Sequence, residues 1–205
     1  MPASRRRPAL LIQFAREPVE GEVKTRLIGA LSPGEACQLH CELVQWTCNT
    51  LLTAALGDVE LAVAGSDGHP LFATCLEQGV VGVTRQRGRD LGERMYNAMV
   101  DGLARYERVL LVGSDCPAID AAYLEEALGA LDRVPVVLGP ALDGGYVLIG
   151  ARRVEPGLFS GIPWGGDRVY AQTLQRLRAL GLRWAELPAL ADIDRPADLM
   201  HWPGR

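Results

Sequence analysis

Hydrophobic positions along this chain fall into short continuous runs, separated by longer stretches with a three-to-four spacing. Residues 9–14 are apolar apart from Gln13, the pattern of a strand covered on both faces. Ser32-Pro33-Gly34-Glu35 then reads as a helix start, with a serine cap, a proline in the first turn and a glutamate completing a capping box. That helix is predicted to run to about Leu56, with Leu39, Leu43, Trp46 and Thr50 on one face, and to stop at Gly57. Further strands are predicted at 59–64, 80–84, 108–113, 134–138, 146–149 and 183–187, and helices at 69–78, 91–106, 121–131 and 168–180. Leu91, Met95, Met99 and Leu103 mark the inward face of the 91–106 helix, and Val109-Leu110-Leu111-Val112 is the most strand-like tetrad. Strands alternating with helices imply an α/β fold around a mainly parallel, doubly wound sheet. Neither a repeat nor a proline- or glycine-rich linker interrupts the pattern, so residues 1–205 read as one domain.

Composition narrows the class. The 48% hydrophobic and 22% charged residues are those of a globular protein. A net charge of −4 argues against a protein that coats nucleic acid. Arg5-Arg6-Arg7 is the only basic cluster, and it reads as a solvated start or as an anchor for a polyanion. The apolar run behind it is too short for a signal-peptide core and no later run could span a bilayer, so the expected location is the cytoplasm. Five cysteines, at 37, 41, 48, 75 and 116, form no C-x-x-C pair and fit reduced thiols. Cys37, His40 and Cys41 share a helix with Val44 and Cys48, which favours packing over a metal site.

Ligands of such sheets bind outside the carboxyl ends of the strands, and four segments there carry candidate chemistry. After the first strand, Arg16, Lys24 and Arg26 can face one anion, with Gly21 allowing close backbone approach. An ordinary charged loop pairing with Glu17, Glu20 and Glu22 is the alternative, and no P-loop is present. Asp115, in Gly113-Ser114-Asp115-Cys116-Pro117, stands where a carboxylate could hold Mg²⁺ or Mn²⁺ against substrate phosphates, while Asp120 suits the cap of the next helix. Asp143-Gly144-Gly145-Tyr146 is either a plain tight turn or a place where backbone approaches a sugar or acceptor. In Asp192-Ile193-Asp194-Arg195-Pro196, Asp194 is the expected helix cap, with Asp192 or Asp194 as a second metal ligand in the sharper reading. Gly88, Asp90 and Gly92 could contact a base or ribose, and Phe159, Pro163 and Trp164 could line an acceptor pocket or simply pack in the core. His40, His69 and His201 show no nucleophile pattern, and G-x-S-x-G is missing.

Taken in order, K-T-R-L, G-R-D-L-G-E-R-M, G-S-D-C-P, L-D-G-G-Y and D-I-D-R-P-A-D-L resemble the glycosyltransferase-A-like family of radical-SAM/selenodomain-associated transferases, some of which are assigned to arsenosugar biosynthesis. The blocks are also similar to those of phospholactate guanylyltransferases and molybdenum-cofactor nucleotidyltransferases. This resemblance implies a three-layer nucleotide-diphospho-sugar transferase fold, GT-A and Rossmann-like, with nucleotide over the N-terminal half and acceptor over the C-terminal half. It implies phosphate contacts from Lys24 and Arg26, Mg²⁺ or Mn²⁺ on Asp115 with Asp194 as a second ligand, and Asp143 to Tyr146 bordering the acceptor. Two departures from the family pattern stand out: a longer, glycine-poor first loop, and S-D-C where glycosyltransferases carry D-x-D. The leading expectation is metal-assisted glycosyl transfer, with Asp115, Lys24 and Asp143 catalytic. Nucleotidyl transfer from an NTP with pyrophosphate release is the alternative, and a nucleotide-binding sensor is the non-enzymatic one. Expected partners are a nucleotide or nucleotide sugar and a small-molecule acceptor, with no nucleic acid, no membrane span and room for a homodimer.

Overall fold

The computed structural model describes residues 7–204, so Arg5 and Arg6 lie outside the described residues. The predicted alternation is realised as β1 (Arg7–Arg16), α1 (Pro33–Ala54), β2 (Asp58–Ala64), α2 (Pro70–Gln78), β3 (Gly82–Arg85), α3 (Leu91–Arg105) and β4 (Tyr106–Val112). The second half adds α4 (Ala121–Leu131), β5 (Val136–Pro140), β6 (Tyr146–Ala151), α5 (Val169–Ala179) and β7 (Trp184–Glu186). These strands build one seven-stranded sheet in the order β3-β2-β1-β4-β6-β5-β7. Only β6 runs antiparallel to its neighbours, β4 and β5, which makes the sheet mixed but mainly parallel.

Two apolar layers follow from strand alternation. One face packs Leu11, Leu61, Leu110 and Leu148 against α1, α2 and α4. The other packs Leu10, Val109, Leu111 and Ile149 against α3 and α5. A third, smaller cluster joins Leu27 of the first loop and Leu39 and Leu43 of α1 to Ile193, Leu199 and Trp202 near the C-terminal end. Among the described residues no helix is long and apolar enough to cross a membrane.

Several boundaries differ from expectation for identifiable reasons. α1 opens with the full Ser32–Glu35 capping box but ends at Ala54, where Ala55 turns left-handed (φ 53°). Gly57 therefore is not the stop; it lies so close to β1 that a Cβ would stand 2.5 Å from the Ala9 carbonyl oxygen. α3 ends at Arg105, because Tyr106 already belongs to β4. On α3, Met95, Met99 and Gly102 face the core, whereas Leu91 is 40% exposed at the helix start. Asp120 caps α4 through the Tyr123 amide as expected. Asp194 does not cap the last turn: Arg195 occupies that position and Asp198 accepts from the Asp194 and Arg195 amides.

Candidate active site

The parallel register brings the carboxyl ends of β1 and β4 side by side, with Gln13 opposite Val112. Gln13, the one polar residue between Ala9 and Phe14, is fully buried there and donates to the Val44 carbonyl and to Ser114 Oγ, both at 2.9 Å. Ser114 in turn donates to the Phe14 carbonyl at 2.8 Å. This network pins the Ser114-Asp115 turn to β1 and α1 through the Gln13 amide nitrogen, while Gln13 Oε1 is buried without a partner.

Asp115 and Lys24 then meet. The Lys24 ammonium lies 2.7 Å from Asp115 Oδ1, with the lysine side chain only 4% exposed and the aspartate 46% exposed. Oδ1 is buried and meets the ammonium as an ion pair without a well-aligned hydrogen bond, which leaves the rest of the carboxylate open. Lys24 also donates to the Ile193 carbonyl, and the Ile193 amide donates to the Asp115 carbonyl at 2.8 Å. To reach this position Lys24 adopts a left-handed backbone (φ 49°, ψ 36°), which costs a lysine about 1–2 kcal/mol and persists only where surrounding contacts enforce it. Arg26, one short turn further on, pairs with Asp194, and that pairing raises the guanidinium's pKa.

Burial of Ile193 directs its two neighbours outward. Asp192 ends among Asp115, Asp143 and Asp194, with Lys24 as the compensating cation, and burial followed by these like charges raises its pKa to about 7. His40, on α1 behind the site, donates from Nε2 to the Arg16 carbonyl at 2.9 Å, and burial lowers its pKa. Asp143 is exposed and its Oδ1 accepts from the Gly145 amide at 2.9 Å. Gly144 is required: φ is 92°, and a Cβ there would fall 1.9 Å from the Asp167 carbonyl oxygen.

Asp143 and Asp192 stand in the wall shared by two clefts. One, of 340 Å³, is acidic and lined by Asp143, Asp192, Asp194, Asp198, Arg195 and His201. The other, of 270 Å³, runs between Phe14, Met95, Leu111, Tyr146 and Trp164, with Arg26, Asp143 and Asp192 as its charged lining. A larger cavity of 480 Å³ lies away from these carboxylates, between β3 and α3, and three of its four arginines are spent on ion pairs with Asp67, Asp101 and Glu60.

Sequence-predicted residues divide accordingly. Lys24, Asp115, Asp143 and Asp194 gather at the site, and Gly145, Tyr146 and Trp164 line the apolar cleft. Arg16 does not share an anion with Lys24 and Arg26: it is exposed and reaches the Glu22 carbonyl. Asp90 caps α3 through the Glu93 amide, Gly88 packs on Glu93 and Gly92 lets Trp164 lie against the helix start, so these three line neither cleft. The residues alone left Asp192 and Asp194 open as second ligand and the family resemblance chose Asp194, while Phe14, Met95 and Leu111 were missed. A usable signal was present, since in an extended D-I-D a buried isoleucine sends both carboxylates to the opposite side.

Among the described residues no three His, Cys, Asp or Glu side chains form a metal site by themselves. The donor set is instead a pair, the open part of Asp115 and the charge-crowded Asp192. These two carboxylates are the ones that could hold a hard divalent ion such as Mg²⁺ or Mn²⁺, which is commonly bound by one or two carboxylates together with substrate phosphates.

Seven strands in this order, with loops converging at the ends of β1 and β4, define a protein of the nucleotide-diphospho-sugar transferase and nucleotidyltransferase fold, and its structural neighbours are transferases. The family model described as "uncharacterized protein conserved in bacteria (DUF2064)" matches residues 47–166, and the chain belongs to that family. A crystal structure from Desulfovibrio desulfuricans G20, described as a candidate nucleotide-diphospho-sugar transferase, is 34% identical over 91% of this chain and 82% of that one, with a TM-score of 0.82. The 4-diphosphocytidyl-2C-methyl-D-erythritol synthase of Anaerococcus prevotii (11% identity, TM-score 0.64, 95% and 94% covered) shares the fold. So does Rv0371c of Mycobacterium tuberculosis in complex with manganese (15% identity, TM-score 0.56, 96% and 98% covered). No curated protein matches the sequence.

Proposed function

We propose that this chain is a metal-dependent transferase that takes a nucleotide-sugar donor and passes the sugar to a small-molecule acceptor. The nucleotide would lie over the ends of β1 and β4, and the acceptor in the adjoining apolar cleft, which both halves of the chain line. The observation that carries the reading is the ion pair of the buried Lys24 side chain with the half-exposed Asp115, tied to Ile193 and flanked by Asp192, at the ends of β1 and β4. Such a cluster costs stability unless a polyphosphate and its cation complete it.

Asp115 and Asp192 would hold the ion, in preference to Asp194, whose carboxylate is engaged by Arg26. A bound Mg²⁺ or Mn²⁺ supplies positive charge where the leaving diphosphate develops negative charge. Lys24, held at fixed distance from Asp115, stabilises the same charge without rearranging. Arg26, oriented by Asp194, adds a second cationic donor. Asp143, exposed at the mouth of the apolar cleft, accepts the proton of the acceptor as its oxygen or nitrogen attacks the sugar. Glycosyl transfer is favoured over nucleotidyl transfer to a phosphate or carboxylate because the apolar cleft has two carboxylates and one arginine, and that arginine is already paired.

A thermal-shift screen of nucleoside diphosphates, triphosphates and nucleotide sugars, with and without Mn²⁺, tests the reading. A ligand at a hundred times its dissociation constant should add about 2.7 kcal/mol of stability. Asp115→Ala should remove the Mn²⁺-dependent part. Release of NDP from a nucleotide sugar is the expected chemistry; pyrophosphate release from an NTP would replace it with nucleotidyl transfer. Binding by Asp115→Ala as tight as wild type with Mn²⁺ present would sink the assigned role.

A further inference from the structure

The apolar cleft beside Asp143 allows the acceptor to be described more closely, on the footing of the transferase reading above. Its volume of 270 Å³ is roughly nine water molecules' share of the liquid, room for a single substituted ring. Phe14, Met95, Leu111 and Val147 make the floor, and Trp164 makes a wall. That wall is held in place: Trp164 packs against Phe159 in a tilted pair (centroids 6.3 Å apart), Phe159 meets Tyr96 edge to face (6.5 Å), and the indole lies where a Cβ on Gly92 would be 2.5 Å away.

Several polar groups in this lining are already committed, which leaves the Trp164 indole N–H as its neutral side-chain donor. The Gly113 amide donates to the Val147 carbonyl at 3.1 Å. The Gly145 amide donates to Asp143, and the Gly145 carbonyl accepts from the Ala141 amide. Tyr146 turns its hydroxyl to the Met95 sulfur at 3.7 Å instead of into the cleft. No serine, threonine, asparagine, glutamine or lysine lines it. A polyhydroxylated ring would give up water here and find few partners, and each unmade hydrogen bond costs free energy. An anionic acceptor would meet Asp143 and Asp192, and the one cation of the lining, Arg26, is paired with Asp194 and assigned above to the diphosphate.

We propose that the cleft binds an acceptor with an apolar body, one alicyclic or aromatic ring, carrying a single hydroxyl or amine that is presented to Asp143. The ring lies against Trp164 and over Phe14 and Leu111, and the polar head stays at the mouth.

Three probes separate the possibilities in amide-shift titrations of the full chain: cyclohexylmethanol, glucose and 3-phosphoglycerate, each with a nucleoside diphosphate and diamagnetic Mg²⁺ present. Cyclohexylmethanol should shift residues 91–95 and 164–169, while the other two leave them unmoved. Trp164→Ala should weaken that binding about tenfold, as expected for loss of an aromatic wall. Should that variant fold poorly, Leu91→Ser on the exposed lip should weaken it about threefold, the fraction expected for a partly exposed leucine. Glucose or phosphoglycerate binding there at least as tightly would overturn the proposal. So would nucleotide binding without any response to cyclohexylmethanol. If the alcohol binds and no nucleotide does, the cleft's preference stands and the transferase reading falls.

Discussion

Asp192 carries the greatest electrostatic burden of any residue at the site, because it is half-buried beside Asp115, Asp143 and Asp194 with Lys24 as the compensating cation. Removing its charge should relieve that crowding. Asp192→Asn is expected to raise the melting temperature of the metal-free protein, on the order of 5 °C for a gain of 1–2 kcal/mol, and to abolish the further rise caused by Mn²⁺. Differential scanning calorimetry in EDTA and in Mn²⁺ checks both halves, and a variant that stays metal-responsive would return the second-ligand role to Asp194. His40 offers a pH-dependent counterpart. Burial holds its imidazole below the ordinary value, so near pH 6.5 the unfolded chain binds more protons than the folded one. Its contribution is therefore complete above that pH and is lost as pH falls. His40→Gln should flatten the decline of melting temperature between pH 7 and 5; an unchanged slope would assign the decline to other groups. Lys24 and Asp115 were legible in the sequence because charged residues at the ends of apolar runs have few structural uses. Asp192 and Asp194 were not separable from local pattern, because the proline behind Asp194 made a helix cap the natural reading; Arg195 at the cap position and the Arg26 partner show otherwise.

At the level of elements, the strand and helix alternation was readable almost throughout, since period and capping act locally: the Ser32–Glu35 box and the Asp120 cap both form as written. What misled was glycine, whose local signal does not say why it is needed. Gly57 looked like a helix stop and serves a close approach to Ala9, while Gly92 looked like a ligand contact and makes space for Trp164. The Asp143-Gly144-Gly145 turn belongs to the same class. Gly144 combines a positive φ with a carbonyl where a Cβ would go, and its own carbonyl accepts from the Tyr170 amide, which ties the turn to the start of α5. Gly144→Ala should cost about 2–4 kcal/mol, or roughly 5–15 °C in melting temperature. Gly145→Ala should cost far less, since its φ is not positive and the nearest atom to an added Cβ is the Asp143 carboxylate at 3.2 Å. Urea titration of the two variants measures the contrast, and equal losses would show that the turn does not depend on the Asp167 contact.

Across the whole molecule, the two halves of the site are held together by a small core that neither face of the sheet supplies. Leu27 follows the cations of the first loop, Ile193 separates Asp192 from Asp194, and both pack with Leu39, Leu43, Leu199 and Trp202. Trp202 also meets Trp46 of α1 edge to face, with ring centroids 5.4 Å apart. The placement of Lys24 against Ile193 and Asp115 therefore depends on an indole near the far end of the chain, a link that no local sequence pattern encodes. Trp202→Ala should cost about 3–5 kcal/mol if the whole fold felt it. Because the cluster is separate from the two main cores, the loss should instead appear as local opening. Hydrogen exchange is expected to speed up together in residues 24–31 and 192–204 while the amides of β1 and β4 stay protected, and nucleotide affinity should fall with it. The reverse pattern, with exchange rising uniformly and affinity of the folded fraction preserved, would show that the strap stabilises the protein without positioning its site.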